Sequence, residues 1–501
     1  MTSSLVRGRP RHATAHIRVR VAHALVGAVA GAGWLAIPVL AVQEPATAAP
    51  PAHSAPEDPG DSPSPGESSA VDLILPVAVL GTAGVLIAYT HVRRSRRPSR
   101  APGVVSAAPP AATPAESERQ VREALVQADD SVRASEEELP FAAAVVDGPA
   151  LAPFRRAVQA ARTEVSAAFG LWHRYEEGEP ADPGDRTRAL VAVVGRCAEA
   201  GRLLDASAGE LDRLRWNDVR HPLEVAEETF RRLGARAAGT RATALALRER
   251  YGPSVGARAT GCAEEAMDRL VFTTAQLNEA RRAADSGDDG RAVRQLRCAE
   301  GAMAQAGILV AGVDRLARRL LEAAALVPAA LTGAEAVLAA DTPAPSGADA
   351  TLAAVRTELT AGPYDPLDAL RRITRALVRL PGARSGVLDT AADLVARAAA
   401  GEAEDYVAVH RGAAGADSRS LLAAAVRTLA EGHPVEAAVL ARRALELAER
   451  DVRAHGIPES GTGGTAGAAL GGVLLGEEPD GGPPAAFGGP ETRGRLRTGT
   501  D

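Results

Sequence analysis

Along this chain, apolar and polar positions alternate in two ways: as unbroken apolar runs near the start and as helix-period stripes thereafter. Leu73 to Val92 carry no formal charge and are followed at once by Arg93, Arg94, Arg96, Arg97 and Arg100. At ~1.5 Å per residue a helix of that length covers roughly 30 Å, the hydrocarbon thickness of a bilayer. Further on, Val121, Leu125, Ala128, Val132, Ser135 and Leu139 recur at steps of four and three, which puts them on one stripe of a helix. Glu123, Arg133, Glu136 and Glu137 fall mostly off that stripe. Pro140 is expected to kink or end the helix.

The same period continues downstream. A second helix is expected over about Leu151–Glu177, ending at the turn-rich stretch 179–185. A third runs over about Arg186–Arg215, with Leu190, Val194, Cys197, Leu204, Ala208 and Leu211 along its seam. A fourth covers about Pro222–Tyr251, with proline at its tolerant first turn. After the break at Gly252-Pro253, a fifth covers about Gly256–Ala284. A Gly-containing turn then recurs: Gly287 precedes Ala292, Leu296 and Ala299; Gly362 precedes Ala369, Ile373 and Ala376; Gly432 precedes Ala437, Ala441 and Ala444. Small and apolar residues at i, i+4 and i+7 after each turn predict stacked antiparallel helix pairs. Segments 341–349 and 456–501 are loop-like, the latter Gly-rich and disordered, with a short apolar island at Ala468–Leu475 that cannot span a bilayer.

The predicted fold class is all-α: one transmembrane helix, an elongated antiparallel helical bundle with coiled-coil-like seams, disordered linkers and a Gly-rich tail. Residues 1–48 have a basic head (Arg7, Arg9, Arg11, Arg18, Arg20), an apolar middle and an Ala46-Thr47-Ala48 site. They read as a signal peptide or as an uncleaved first membrane helix, and either places 49–71 outside the cytoplasm. That Pro/Ser segment is a tether. Residues 73–92 then cross the membrane, and 93–114 form a basic and Pro/Ala linker. Arg93, Arg94, Arg96, Arg97 and Arg100 set the topology by holding the following chain inside. The 115–455 region is therefore expected to be cytoplasmic and helical. The protein is expected in the cell membrane, single-pass, or two-pass if the signal is retained.

Composition narrows the chemistry. Aromatics are only 3% of the residues, which favours thin helical layers over a core of stacked rings. All 57 basic residues are Arg, so no Walker lysine, Schiff-base lysine or lysine general base exists here. A net charge of −6 gives no reason to expect nucleic acid. Cys197, Cys262 and Cys298 are too far apart for a CxxC site and read as free thiols in a reducing compartment.

Candidate sites dissolve on inspection. Asp285, Asp288 and Asp289 suggest a calcium loop, but Gly287 and Leu296 occupy two of its ligand positions, so a helix-capping turn is the better reading. His173 lacks H-E-x-x-H spacing and reads as a solvated histidine beside Trp172. Glu446 and Arg450 sit at i, i+4, an ordinary surface pair. No catalytic, metal or cofactor residue is predicted, and no enzyme activity is expected. The expected partners are the lipid bilayer and another protein, or a second copy, through the helical region.

Several phrases together resemble one family: VDLILPVAVL in the membrane run, SEEELPFA (135–142), MDRLVFTTAQLNEARRAADSGDDGRA (267–292), YDPLDALRRITRA (364–376) and, in the tail, GAALGGVLLG, AAFGG and TRGR. They are similar to the membrane helix and C-terminal helical part of TPM-domain (TPM-phosphatase-like) proteins of high-GC Gram-positive bacteria, over roughly residues 71–495. The resemblance implies an extracytoplasmic TPM domain between signal and membrane helix, carrying phosphatase-like activity. Here the interval holds only the 49–71 tether, so no TPM catalytic or metal-binding residue has a counterpart to be assigned. The sequence thus points to a membrane-anchored, non-catalytic helical scaffold, or to an accessory or degenerate member of the TPM family.

Overall fold

The computed structural model describes residues 114–340, 347–378, 380, 386–455 and 486–498. The signal region 1–48, the tether 49–71, the apolar run 73–92, the linker up to residue 113 with Arg93, Arg94, Arg96, Arg97 and Arg100, and the island at 468–475 lie outside the described residues. Among the described residues there are twelve α-helices and no strand, as the periodicity predicts. They are α1 (Pro114–Ala142), α2 (Ala152–Glu176), α3 (Pro183–Arg215), α4 (Arg220–Tyr251), α5 (Pro253–Asp285), α6 (Asp289–Ala340), α7 (Ala348–Ala361), α8 (Pro366–Ala376), α9 (Gly386–Val409), α10 (Ala416–Ala430), α11 (Pro434–His455) and α12 (Pro490–Thr498). A 3-10 turn at Gly148–Leu151 leads into α2.

Local chemistry sets the boundaries. Asp182 caps α3 by accepting from the Asp185 N–H at 3.0 Å, and Asp365 caps α8 by accepting from Leu367 at 3.0 Å and Asp368 at 3.1 Å. Gly287 (φ 79°) and Gly432 (φ 84°) close α5 and α10 in left-handed turns. The N–H beyond each reaches back five residues, from Asp288 to Ala283 at 2.9 Å and from His433 to Thr428 at 3.1 Å. Asp288 then accepts from Arg291 at 3.0 Å, so the acidic stretch at 285–290 is a capping turn. Pro140 does not stop α1 at once; the helix continues to Ala142, since a proline so near the end removes one bond of the final turn.

The helix α6 is the spine. It runs 52 residues through Pro328 and packs against α4, α5, α8 and α9. By length and composition α6 is long and apolar enough to cross a membrane, but its apolar faces are shared with those neighbours. The first core joins α1, α2 and α3 around Leu125, Phe154, Trp172 and Leu204. A second joins the end of α6 with α7, α8 and α9 around Val327, Leu352, Leu370 and Ile373. A third lies between α4, α5 and the first half of α6.

Four sequence expectations need correction. Val194 is 40% exposed; Val193, one residue earlier, takes its place in the α3 seam. His173 is not solvated: it is half-buried, with Nε2 3.4 Å from Glu177. Glu446 meets Arg442 at 4.0 Å, one turn earlier, rather than Arg450. The region assigned to a disordered tail contains Phe487, 1% exposed, and α12, because one aromatic ring and a row of free backbone N–H groups find a groove on α1–α3.

Candidate functional site

The groove that receives the C-terminal segment is built from three helices. On α1, Ser135 and Glu138 are three apart and share one face; on α3, Gly201 and Asp205 are four apart and do the same. Helix α2 adds Phe154, whose ring meets Phe487 edge-on at 5.8 Å and 83°. The bound segment offers its backbone. Phe487 N–H donates to Glu138 Oε2, and Gly488 N–H donates to Ser135 Oγ at 3.1 Å. Asp205 accepts from Gly489 N–H at 2.8 Å, Glu491 N–H at 3.2 Å, Thr492 N–H at 3.0 Å and Thr492 Oγ1 at 2.6 Å. A carboxylate on α3 thereby caps the first turn of α12, whose unpaired N–H groups need an acceptor.

Glu138 works in two directions. Its other oxygen accepts from Arg215 Nη1 at 2.6 Å, and Arg215 also pairs with Glu300 on α6. The Arg215 and Glu138 side chains are 1% and 2% exposed, so this pair sits in a low-dielectric interior where only full pairing keeps charges tolerable. Burial pushes the Glu300 carboxyl above its ordinary value, with Arg215 opposing. The tail, α1, α3 and α6 are thus tied through one buried chain of charges.

A second buried cluster joins α1 to α9, α10 and the turn between them. Arg419 on α10 donates to Asp129 at 2.5 Å, Asp130 at 2.7 Å, the Ala414 carbonyl at 3.1 Å and the Arg411 carbonyl at 2.6 Å. Arg411 pairs with Glu137, and Arg133 bridges Asp129 at 2.8 Å and Glu404 at 2.6 Å. Burial alone would raise the Asp129 carboxyl, but Arg133 and Arg419 outweigh it and hold it below its ordinary value. Arg133 and Glu137, which lie off the apolar stripe of α1, are thus half-buried between helices. Carboxylates committed to guanidinium groups in this way are poor proton acceptors, and the cluster reads as a fastening between helices.

A cleft of about 420 Å³ opens between α5, α6, α9 and α11. Arg258 donates to Glu402 at 2.7 and 2.8 Å, and Asp365 lies 3.6 Å from it. His410 stacks on Tyr406 at 4.2 Å, donates from Nδ1 to the Tyr406 carbonyl at 3.0 Å, and faces Glu265 through Nε2 at 3.2 Å. Burial raises Asp405, against Arg315 at 2.6 Å, and pushes the Cys262 thiol up to about 11. A thiol at that value is protonated near neutrality and is a weak nucleophile. The other two thiols behave alike: burial pushes Cys197 to about 12 and Cys298 to about 11. No group of three His, Cys, Asp or Glu suited to a metal ion occurs among the described residues.

Sequence reasoning named none of Ser135, Glu138, Asp205, Arg411, Arg419 or His410 as members of a site. The available signal was Phe487, an aromatic residue standing alone in a Gly-rich tail.

These features define an all-α helical assembly with a docked peptide segment. The chain is 28% identical over 412 residues to UPF0603 protein MT2410 of Mycobacterium tuberculosis strain CDC 1551 / Oshkosh, and equally to UPF0603 protein Rv2345 of strain ATCC 25618 / H37Rv. The similarity covers 74% of this chain and 62% of each relative, so the chain spans less than two thirds of the length of the curated relatives it matches. It supports kinship with an uncharacterised bacterial family. No family model and no solved structure matches.

Proposed function

We propose that this chain is a membrane-anchored helical scaffold whose task is to hold other polypeptides rather than to transform a substrate. The observation that carries this reading is the α1–α3 groove, which receives an extended segment through backbone donors and one aromatic anchor. The committed pairing of the buried acids and the raised thiols fit a holding role. The apolar run Leu73–Val92 with Arg93, Arg94, Arg96, Arg97 and Arg100 supports anchoring in the cell membrane with the helical region on the cytoplasmic side. The test is cross-linking of the full chain in native membranes, followed by identification of what is captured. Discrete protein partners are expected; a chain captured with lipid alone would overturn the reading. A reporter fused at Gly456 that is active only outside the cytoplasm would overturn the sidedness.

The phrases AAFGG and TRGR, which resemble TPM-domain proteins, fall in the docked segment and its helix. They support a second reading, an accessory or degenerate member of a phosphatase-like membrane family. Detergent-solubilised full chain is expected to leave a chromogenic phosphate ester intact. Hydrolysis above a heat-killed control would favour this second reading.

A further inference from the structure

The segment Phe487–Thr492 is held by contacts that discriminate sharply against other sequences. A Cβ on Gly489 would collide with the Gly201 carbonyl oxygen. A Cβ on Gly201 would lie 2.7 Å from Pro490 Cδ, so the two backbones approach as closely as they do only because both positions are glycine. Gly488 takes φ 141°, and a Cβ there would lie 2.6 Å from that of Thr492. Phe487 fills the remaining space against Phe154 within the first core. Pro490 has no N–H to leave unpaired at the first position of α12, and Asp205 takes the N–H groups on either side of it together with the Thr492 hydroxyl. Phe-Gly-Gly-Pro-x-Thr is therefore the pattern the groove reads.

The segment is remote from the groove in sequence, since residues 456–485 lie between His455 and Ala486. Among the described residues, the hydrogen bonds that hold it run from its own backbone, or from the Thr492 hydroxyl, to Ser135, Glu138 and Asp205. The same segment on another molecule would make the same bonds. We propose that the groove on α1–α3 is a sequence-selective peptide site whose partner in trans is the Phe487–Thr492 segment of a second copy of this chain. This rests on the scaffold reading and gives it a partner. Own and foreign segments compete for one groove, and the tethered one has the advantage of its effective concentration. Exchange between copies follows when they are crowded together, or when one copy's own segment is disabled.

The experiment uses full chains in detergent and two substitutions that act on opposite sides of the contact. Gly489→Ala disables the segment and leaves the groove; Asp205→Ala disables the groove and leaves the segment. A labelled synthetic peptide of residues 484–498 is the probe. It is expected to bind the Gly489→Ala chain about tenfold or more tighter than the unaltered chain, whose own segment competes, and not to bind the Asp205→Ala chain. An equimolar mixture of the two altered chains is expected to form a mixed dimer, with each alone monomeric. Circular dichroism checks that both stay helical, and Phe487→Ala replaces Gly489→Ala if that chain does not. Equal peptide binding by all three chains, or no binding by any, overturns the site. Peptide binding without a mixed dimer overturns the second copy as partner. Either failure leaves the scaffold reading standing if membrane cross-linking still captures other proteins.

Discussion

The core around α1, α2 and α3 and the core around α7 and α8 are both made of helices with small-residue seams, yet they bury different things. The first holds Phe154, Phe169, Trp172, Tyr175 and Phe487 and lies against Arg215, Arg411 and Arg419, all nearly inaccessible. The second is Ala, Val, Leu and Ile throughout its buried set, and its ion pairs sit at the rim, as Arg372 with Glu358 does. Apolar packing can be satisfied by several registers of sliding helices, whereas a buried guanidinium is tolerable only where its acceptors are. The region that takes the tail is thus fixed by charge as well as by shape; the other is fixed by shape alone.

That contrast can be broken most directly at Arg419. Arg419→Ala leaves Asp129 and Asp130 buried beside fewer cations and should cost ~3–5 kcal/mol in denaturant unfolding. Arg372→Ala, at a pair with side chains 29% and 46% exposed, should cost ~0–1 kcal/mol. Equal losses would erase the distinction. Next in size, Ile373→Val in the fully buried second core should cost ~0.5–1.5 kcal/mol with no change in pH dependence.

The pH dependence itself should come from the first region. Asp129 has its folded value lowered from 3.8, so its contribution is complete above that value and is lost as pH falls below it. Glu300, raised from 4.5, acts in the opposite sense and is relieved on protonation. Comparing unfolding at neutral pH and below about pH 4, Asp129→Asn should flatten the acid loss. A slope unchanged by this substitution would remove Asp129 from the account. The smallest effect concerns the thiols and leaves stability untouched. With Cys262 and Cys298 near 11 and Cys197 near 12, alkylation near neutrality should run about 100-fold slower at the first two and about 1000-fold slower at Cys197 in the folded chain than in denaturant.

Much of this architecture was legible beforehand. The stripe Val121, Leu125, Ala128, Val132 and Ser135 is buried as its spacing predicts, and all three Gly-led turns open helices whose first apolar positions are buried. The turns do not generate one repeating unit, though: α6 has 52 residues, while α8 after Gly362 has 11. The polar side of α1 was not legible. Arg133 and Glu137 look like surface residues from spacing alone, because periodicity reports which face is apolar and is silent on what approaches the other face.

Sequence by itself determined the helices, the glycine and aspartate caps that end and start them, the apolar seams and the absence of lysine chemistry. Those are local matters: backbone sterics, a side chain reaching its own helix terminus, a period of 3.6. Tertiary structure decided which polar groups became interior and where the tail docks. Arg419 meets Asp129 across 290 positions, and Gly488 meets Ser135 across 353. Nothing in either local sequence specifies such a partner; the helices must first pack before a buried charge or a free N–H can find the one acceptor within reach.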